Sequence, residues 1–212
     1  MALLMTPTLW NSIDWFEKCP ESWKKSAYQQ LLDMLNRKWT SNKAVERGMA
    51  FEKQICYGKN PLDDVAPDIK EKFNNAYLMI HGEGHNFQAV AKKFVEVDDK
   101  EFVLYGKMDV FFPNTEILDI KTTGNYKGKN AYLSTWQHKI YTWATRVNKF
   151  KYLIFELTDA GILIDVHIVE YIAEDFSIIE KEIIEKLKSV LELLRSDQKL
   201  KTAYLNKFNM YN

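Results

Sequence analysis

The sequence is poor in cysteine and has no long apolar run. Only Cys19 and Cys56 occur in 212 residues, which is too few for a disulfide framework or a four-cysteine metal site, so two reduced thiols are the simpler interpretation. The apolar stretches are far shorter than the roughly 20 residues of a membrane-spanning helix. Residues 1–16 also lack the basic and then apolar pattern of a signal peptide. We therefore expect a cytoplasmic protein without membrane contact.

The sequence also lacks an excess of charge, because 29 Lys and Arg balance 29 Asp and Glu. A neutral chain argues against a nucleic-acid partner, since phosphate binding normally needs a basic surface. The charge is unevenly distributed, however: residues 121–151 carry seven Lys or Arg and no acid, whereas residues 152–197 carry eleven acids and four basic residues. The basic segment could bind a polyanion. An ordinary solvated surface is the alternative.

Glycine and proline are sparse, with 8 and 5 residues, and there is no internal repeat, low-complexity tract or Pro/Ser linker. A hydrophobic content of 46% over 212 residues is enough for one core. We predict a single α/β domain at 1–212 around a mixed five-stranded sheet flanked by helices. Residues 1–88 form its mainly helical part, 89–171 its sheet and central helix, and 172–212 a long C-terminal helix.

Hydrophobic periodicity and boundary residues locate the individual elements. The predicted helices cover 8–16, 21–39, 43–57, 67 to about 82, and 131–147. The predicted strands cover 90–97, 101–112, 116–122, 152–157 and 162–171. Ser177 and Glu180 form a capping-box signal for the start of the final helix.

An acid followed two residues later by lysine occurs four times, at Asp68, Asp98, Asp119 and Asp197. Asp68 follows a proline at a helix start, Asp98 lies in a predicted turn, and Asp197 lies at the charged end of the final helix. Only Asp119, with Lys121, lies on a predicted strand. We therefore take this copy of the pattern as the candidate site.

Two predicted strands bring a second acid to this place. Because side chains alternate along a strand, Asp119 and Lys121 share one face. On the preceding strand Asp109 should project away from Met108 and Val110. A tight turn lies about five residues from each acid, so Asp109 and Asp119 should be near cross-strand neighbours.

Such a pair of carboxylates calls for a cation. Two carboxylates about 4 Å apart repel by roughly 4 kcal/mol at an effective dielectric of 20. Mg²⁺ prefers oxygen ligands, and Asp109, Asp119 and the Ile120 carbonyl would leave room for water and a phosphate oxygen. Lys121 could orient that water or offset negative charge on a phosphodiester. Taken without its neighbours, the pattern also fits a solvated strand face.

The order of motifs resembles the PD-(D/E)xK nuclease superfamily. Gly106-Lys107-Met108-Asp109, nine intervening residues and Asp119-Ile120-Lys121 are similar to its core motif. Residues 137–141 resemble the Q-x-x-x-Y motif of the RecB-like and phage recombination exonuclease branch. Residues 47–52 resemble the arginine-glycine-then-glutamate helix of lambda-type exonucleases, and residues 8–20 resemble the opening of RecB-like domains.

The resemblance implies a role for each matching residue and a restriction-endonuclease-like fold. Asp109, Asp119 and Glu52 would bind metal, with the carbonyl of Ile120, and Lys121 would act as base or electrostatic stabiliser. Gln137 and Tyr141, one helical turn apart, would hold the water, the lysine or a phosphate. The candidate DNA-contacting residues are Arg47, Lys127, Lys129, His138 and Lys139.

The resemblance further implies a Mg²⁺- or Mn²⁺-dependent DNA exonuclease of the phage or prophage recombination or DNA-processing kind. Homo-oligomerisation as a trimer and a single-strand annealing protein as partner follow from the resemblance alone. Met108 replaces the proline of the superfamily's name, Phe51 stands near the usual RecB-like histidine, and two cysteines imply no iron-sulphur cluster. An endonuclease of the same superfamily and a non-catalytic DNA-binding protein with this fold are the alternatives.

Two further sets of residues admit more than one interpretation. Trp10, Trp15, Trp23 and Trp39 could stack on bases, although core packing is the more common use of such residues. His81 and His85 have a spacing that could bind zinc on a helix, but two intervening glycines favour a turn with exposed imidazoles. His167 alternates with apolar residues and is expected to be structural.

Overall fold

The computed structural model describes residues 2–38, 42–58 and 66–208. Over these residues the chain forms six strands, eight α-helices and one short 3-10 helix. The strands are β1 (Ala2–Met5), β2 (Asn86–Val97), β3 (Lys100–Phe112), β4 (Glu116–Thr123), β5 (Lys149–Leu157) and β6 (Leu163–Ile172). The helices are α1 (Pro7–Lys18), α2 (Lys24–Leu35), α3 (Lys43–Tyr57), α4 (Pro67–Ile80), α5 (Lys129–Leu133), α6 (Gln137–Thr145), α7 (Phe176–Ser196) and α8 (Gln198–Lys207), and the 3-10 helix is Glu21–Trp23.

The sheet is mixed and is organised around the long strand β3. β2 pairs antiparallel with almost the whole of β3. On the other side of β3, β1 pairs in parallel with residues 101–104 and β4 pairs antiparallel with residues 110–112. β5 then pairs in parallel with β4, and β6 pairs antiparallel with β5. β1 and β4 thus share one edge of β3 and leave residues 105–109 between them.

The sheet separates two hydrophobic cores. The first lies under α1, α2, α6, α7 and α8 and includes Trp10, Trp143, Phe150 and Tyr204, all at most 2% exposed. The second lies under α3 and α4, and its central residue, Phe73, is fully buried. A sheet covered on both faces explains why strands β3, β4 and β5 carry apolar residues on both sides.

Several helix starts are fixed by side-chain caps. Thr6 accepts a hydrogen bond from the Leu9 N–H at the start of α1, where Pro7 occupies the first helical position. Asn42 does the same for Val45 in α3. Asp175, rather than the predicted Ser177, caps α7, and its carboxylate accepts from the Ser177 N–H. The capping-box prediction is therefore wrong, although the helix itself is present.

The predicted fold class is confirmed, with differences in the elements. The sheet has six strands instead of five, because residues 2–5 form β1. The predicted helix at 131–147 is interrupted between α5 and α6, and the long final helix is broken at Asp197, whose carboxylate caps α8. The predicted helix 21–39 begins as a 3-10 turn and ends at Leu35, while Trp39 lies outside the described residues.

None of the described helices is both long enough and apolar enough to cross a bilayer.

Candidate active site

The candidate site lies in the gap between β1 and β4 along β3. Backbone pairing of β1 with β3 ends at Leu104, and pairing of β4 with β3 begins at Val110. A cavity of about 370 Å³ occupies this gap. Its lining residues come from the start of α1, from α3, β3, β4 and α6, and they include Glu52, Gly106, Asp109, Asp119, Lys121, Gln137 and Tyr141. The fold therefore brings together the six side chains predicted from the motifs.

Asp109 lies where the pleat of β3 is interrupted. Met108 packs in the first core and Val110 in the second, although strict alternation would place both on one face. The prediction that Asp109 simply projects away from both neighbours is therefore wrong. The carboxylate is directed toward β4 instead, and its Oδ2 accepts a hydrogen bond of 2.8 Å from the Ile120 N–H. The Asp109 carboxylate thus takes the place of a backbone carbonyl as the acceptor in the hydrogen-bond ladder between β3 and β4.

Asp119 is buried, with 1% of its surface exposed. Lys121 lies on the same face of β4 and forms an ion pair with Asp119 Oδ2, as the strand alternation predicts. The Gln137 amide donates to Asp119 Oδ1 from the first turn of α6. The lysine is held close to the carboxylate while 37% of its side chain stays exposed to the cavity.

Gln88, which the sequence motifs do not include, links two of the acids. Its Nε2 donates to Glu52 Oε1 at 3.1 Å and to Asp109 Oδ1 at 3.3 Å. The residue lies opposite Asp109 in the register of β2 and β3, where the pleat is interrupted. Its φ of 53° is in the left-handed region, which is unfavourable for a residue of this type. The chain thus holds a strained conformation at the point where the amide contacts both carboxylates.

Tyr141 fixes the backbone of β3 in the gap. Its hydroxyl donates to the Lys107 carbonyl at 2.9 Å, which satisfies an oxygen at a point where β4 has diverged. A Cβ on Gly106 would come within 2.6 Å of the Tyr141 ring, so only glycine permits this approach. Gly48 plays a similar role for α3, because a Cβ there would lie 2.6 Å from the Thr122 hydroxyl oxygen on β4.

Burial and mutual repulsion alter the acidities of the carboxyl groups. Burial, and then the charge of Asp119, raise the pKa of Asp109 to about 8 against the partly compensating charge of Lys121. Burial and the charge of Asp119 also raise the pKa of Glu52. The pKa of Lys121 is raised because the surrounding carboxylates outweigh the effect of burial, so the ammonium form is favoured. The site holds more acidic groups than one lysine can neutralise.

The donor set fits a hard divalent cation. Asp119 Oδ2 is buried against the lysine, and no described residue gives it a hydrogen bond of ordinary geometry. This orphaned oxygen and the half-buried carboxylate of Asp109 together form a suitable ligand pair for Mg²⁺ or Mn²⁺. Among the described residues, no three His, Cys, Asp or Glu side chains form a preassembled cage. Mg²⁺ does not require one, since it commonly binds through one or two carboxylates and retains several waters.

The predicted DNA-contacting residues are not all available to a ligand. His138 is 1% exposed, packs on the rings of Tyr152 and Tyr171, and contacts the Tyr152 hydroxyl at 3.1 Å. Burial, followed by the charge of Lys139, lowers the pKa of His138 to about 3, so it is a neutral core residue. The expectation that His138 contacts phosphate is wrong.

Ion pairs also neutralise most of the basic segment at 121–151. Lys139 contacts Glu182 on α7 at 2.7 Å, and Arg146 lies 3.8 Å from Glu180. Lys149 and Lys151 share Glu116 and Glu170. The predicted patch of seven charges is therefore largely neutralised. Lys127 and Lys129 remain exposed before and at the start of α5, and their contact with DNA stays a prediction.

Arg47 lies on α3 and reaches the turn between β5 and β6. Its guanidinium donates to the Asp159 carbonyl at 2.8 Å and approaches the Asp159 carboxylate at 3.5 Å. These contacts give it a structural use, and a contact with DNA would have to be made in addition to them.

The remaining aromatic and histidine residues divide between core and surface. Trp10 is buried and contacts Trp136 with ring centroids 5.0 Å apart, whereas Trp15 and Trp23 are 47% and 57% exposed. His81 and His85 lie in the turn after α4, as predicted. Their imidazoles are half-buried and not exposed, because the rings bind the carbonyl oxygens of Ile55 and Gly82.

The chain has a restriction-endonuclease-like fold of the lambda-exonuclease type. Its features are the mixed sheet, the acids on adjacent strands and the helix that carries Gln137 and Tyr141. Solved structures have the same fold. An alkaline exonuclease from Laribacter hongkongensis superposes with a TM-score of 0.52 and 15% identity, covering 95% of this chain and 94% of that chain. A protein named as a candidate exonuclease from Eubacterium rectale superposes with a TM-score of 0.50 and 14% identity. The match covers 96% of this chain and 82% of that chain. Comparisons with protein-family models and with curated protein sequences gave no match.

Proposed function

We propose that this protein is a DNA exonuclease of the phage or prophage recombination or DNA-processing kind, and that it requires Mg²⁺ or Mn²⁺. The observation that carries the proposal is the pair of carboxylates formed by half-buried Asp109 and buried Asp119, beside Lys121 in the gap between β1 and β4. The exonucleases with the same fold support it. A divalent cation bound by these acids would polarise a phosphodiester and lower the pKa of a water.

Each residue of the site has a distinct part in the proposal. Asp109 and Asp119 would hold the cation with the Ile120 carbonyl, and Glu52 would support it. The Lys121 ammonium would stabilise negative charge on the phosphate and orient the attacking water. Its high pKa favours these electrostatic tasks over proton abstraction.

Gln137 and Tyr141 act on the geometry of the site. The Gln137 amide keeps Asp119 Oδ1 in one orientation, so that Oδ2 stays beside Lys121. Tyr141 holds the Lys107 carbonyl and with it the strand that carries Asp109. Both tasks reduce the reorganisation needed when substrate binds.

The proposal is tested with end-labelled linear duplex DNA incubated with Mg²⁺ or with EDTA. Asp119→Ala and Lys121→Ala should each lower the rate at least about 100-fold, and EDTA should abolish cleavage. Asp68→Ala and Lys70→Ala change the same acid-x-Lys pattern on the exposed surface of α4, and they should cleave like the wild type. Metal-independent cleavage, or equal rates for wild type and Asp119→Ala, would refute the proposal.

An endonuclease would use the same residues, so substrate form must separate the two. The exonuclease should degrade linear duplex and leave covalently closed circular DNA intact. Cleavage of the circle would assign an endonuclease with this site. If the protein binds DNA but cleaves neither substrate in the presence of Mg²⁺ or Mn²⁺, the non-catalytic alternative is favoured.

A further inference from the structure

A second cavity adjoins the candidate active site, on the side of α1 and α2. It measures about 430 Å³, within the usual range for small-ligand sites. Thr8, Lys121 and Gln137 line both cavities, so the two lie side by side. We refer to it as the side cavity. Nothing in the proposed chemistry uses it.

One face of α1 forms a wall of the side cavity. Thr8, Asn11, Ser12 and Trp15 all line it, at the i, i+3, i+4 and i+7 spacing that places residues on a single helix face. The opposite face of α1 carries Trp10 and other buried residues. At 1.5 Å per residue this wall is roughly 10 Å long. That length suits one or two nucleotides.

The wall is held in place relative to the active site. The Asn11 side-chain oxygen accepts a hydrogen bond of 3.1 Å from the Trp136 N–H, immediately before Gln137 at the start of α6. The α2 side contributes Gln30, which is exposed. Neutral hydrogen-bonding groups therefore line the side cavity between Lys121 and Trp15.

The chemistry of this lining favours a nucleobase over a phosphate. Among the residues that the structure describes, Lys121 is the one cation that lines it, and that lysine is already paired with Asp119. Binding of a phosphate normally uses several cationic or backbone donors. A base needs instead a flat aromatic surface and neutral hydrogen-bonding groups. Trp15 supplies the surface with 47% of its area exposed.

We propose that the side cavity is a nucleobase subsite, in which Trp15 stacks on a base of the strand being cut, next to the phosphate at Lys121. Asn11, Ser12 and Gln30 would bind the edges of that base or its sugar. The inference rests on the proposed function, because it assigns the nucleotide beside the scissile bond. It predicts that the affinity for a DNA end depends on the terminal bases and not on a terminal phosphate.

The test compares Trp15→Ala and Trp15→Phe with Trp23→Ala, which removes an indole that is 57% exposed and does not line the side cavity. Linear duplexes would carry either normal nucleotides or abasic nucleotides at the two terminal positions of the labelled strand. Trp15→Ala should raise KM about 5- to 150-fold with kcat changed little. Trp15→Phe should retain most of the affinity, and Trp23→Ala should match the wild type.

The abasic duplex provides the coupling measurement. It should raise KM for the wild type as much as Trp15→Ala does, and it should have little additional effect on Trp15→Ala. Equal KM values for wild type and Trp15→Ala, or for normal and abasic ends, would overturn the subsite. A KM that rises when the terminal phosphate is removed, but not when the base is removed, would also overturn it.

A binding measurement separates this inference from the proposed function. Fluorescence titration of each variant with a short oligonucleotide in EDTA reports stacking without cleavage, because a base on Trp15 should quench its emission. Weaker binding and lost quenching in Trp15→Ala would support the subsite even if no DNA were cut. Equal binding by all variants would refute it, whatever the result with Asp119→Ala.

Discussion

At the scale of single residues, Gln88 combines backbone strain with a contact to two acids. Its φ of 53° costs of order 1 kcal/mol, which glycine would not incur. We predict that Gln88→Gly leaves the melting temperature unchanged or higher while it lowers Mg²⁺ affinity and cleavage about 10-fold, as loss of a residue that orients ligands typically does. Calorimetric Mg²⁺ titration and melting curves measure the two effects separately.

Asn114→Gly is the matched control for this variant. Asn114 has a φ of 63° and is exposed in the turn between β3 and β4, away from the acids. It should change stability in the same direction with no effect on Mg²⁺ affinity. If Gln88→Gly bound Mg²⁺ as tightly as the wild type, the amide would have no part in arranging Glu52 and Asp109.

Gly106 is the residue where one methyl group should have the largest effect. Its Cβ would lie 2.6 Å from the Tyr141 ring, so Gly106→Ala must displace Tyr141 or β3. We expect a loss of about 1–3 kcal/mol in the free energy of unfolding, with reduced cleavage. At Gly124 the nearest atom would be 3.8 Å away, so Gly124→Ala should be tolerated. Denaturant unfolding of both variants measures the difference, and equal stability would show that Tyr141 adjusts freely.

The sequence motifs identified Asp109, Asp119, Lys121, Gln137, Tyr141 and Glu52, and the fold gathers them around one cavity. Strand alternation was sufficient for Asp119 and Lys121 because β4 is regular there. Gln88 could not be found in this way, since its importance depends on an interruption of the pleat in two paired strands. The burial of His138 could not be predicted either, because it depends on how α6 packs on Tyr152 of β5 and Tyr171 of β6.

At the scale of secondary-structure elements, an ion cluster around the buried residue Lys186 links α1 to α7. Lys186 is 9% exposed on α7, lies 2.8 Å from Asp14, and also pairs with Glu17. Both acids lie on α1, whose opposite side forms the candidate nucleobase subsite. The position of that wall therefore depends on a charge contact as well as on apolar packing.

We predict that Lys186→Ala lowers the free energy of unfolding by about 1–3 kcal/mol, because Glu17 loses its ammonium partner and Asp14 keeps only Lys18. Lys188→Ala, an exposed change on the same helix, should alter stability by less than about 0.5 kcal/mol. Urea unfolding with a common slope distinguishes them. Equal urea midpoints for Lys186→Ala and Lys188→Ala would mean that solvent replaces the Lys186 ammonium without loss of stability.

The elements themselves were predicted unevenly, for physical reasons. α3 matches its predicted limits because a cap and an amphipathic face define it locally. β1 was not predicted, since four residues, Ala2–Met5, pair in parallel with a strand about 100 positions later and no local signal marks such a contact. This missing strand is also one border of the site, so the gap along β3 could not be inferred from the sequence.

At the scale of the whole molecule, the acids of the site should make stability depend on pH and metal. The pKa of Asp109 is about 8 in the fold against 3.8 for an ordinary aspartate. Between these values the folded protein binds more protons than the unfolded chain, so stability falls as pH rises. Below about pH 4 the ionisation of Asp109 costs the folded state no stability, and above about pH 8 the loss of stability stays constant. The raised pKa of Glu52 acts in the same direction.

We therefore predict that in EDTA the melting temperature of wild type falls from pH 5 to pH 8 more steeply than that of Asp109→Asn. The asparagine keeps an oxygen for the Ile120 N–H but cannot ionise. Mg²⁺ should raise the melting temperature of the wild type by an amount that grows with pH, because ligand carboxylates must be deprotonated to bind the ion. It should not raise the melting temperature of Asp109→Asn. Parallel pH profiles for the two proteins in EDTA would show that Asp109 carries no unusual proton, and the electrostatic case for a cation at this site would then rest on Asp119 alone.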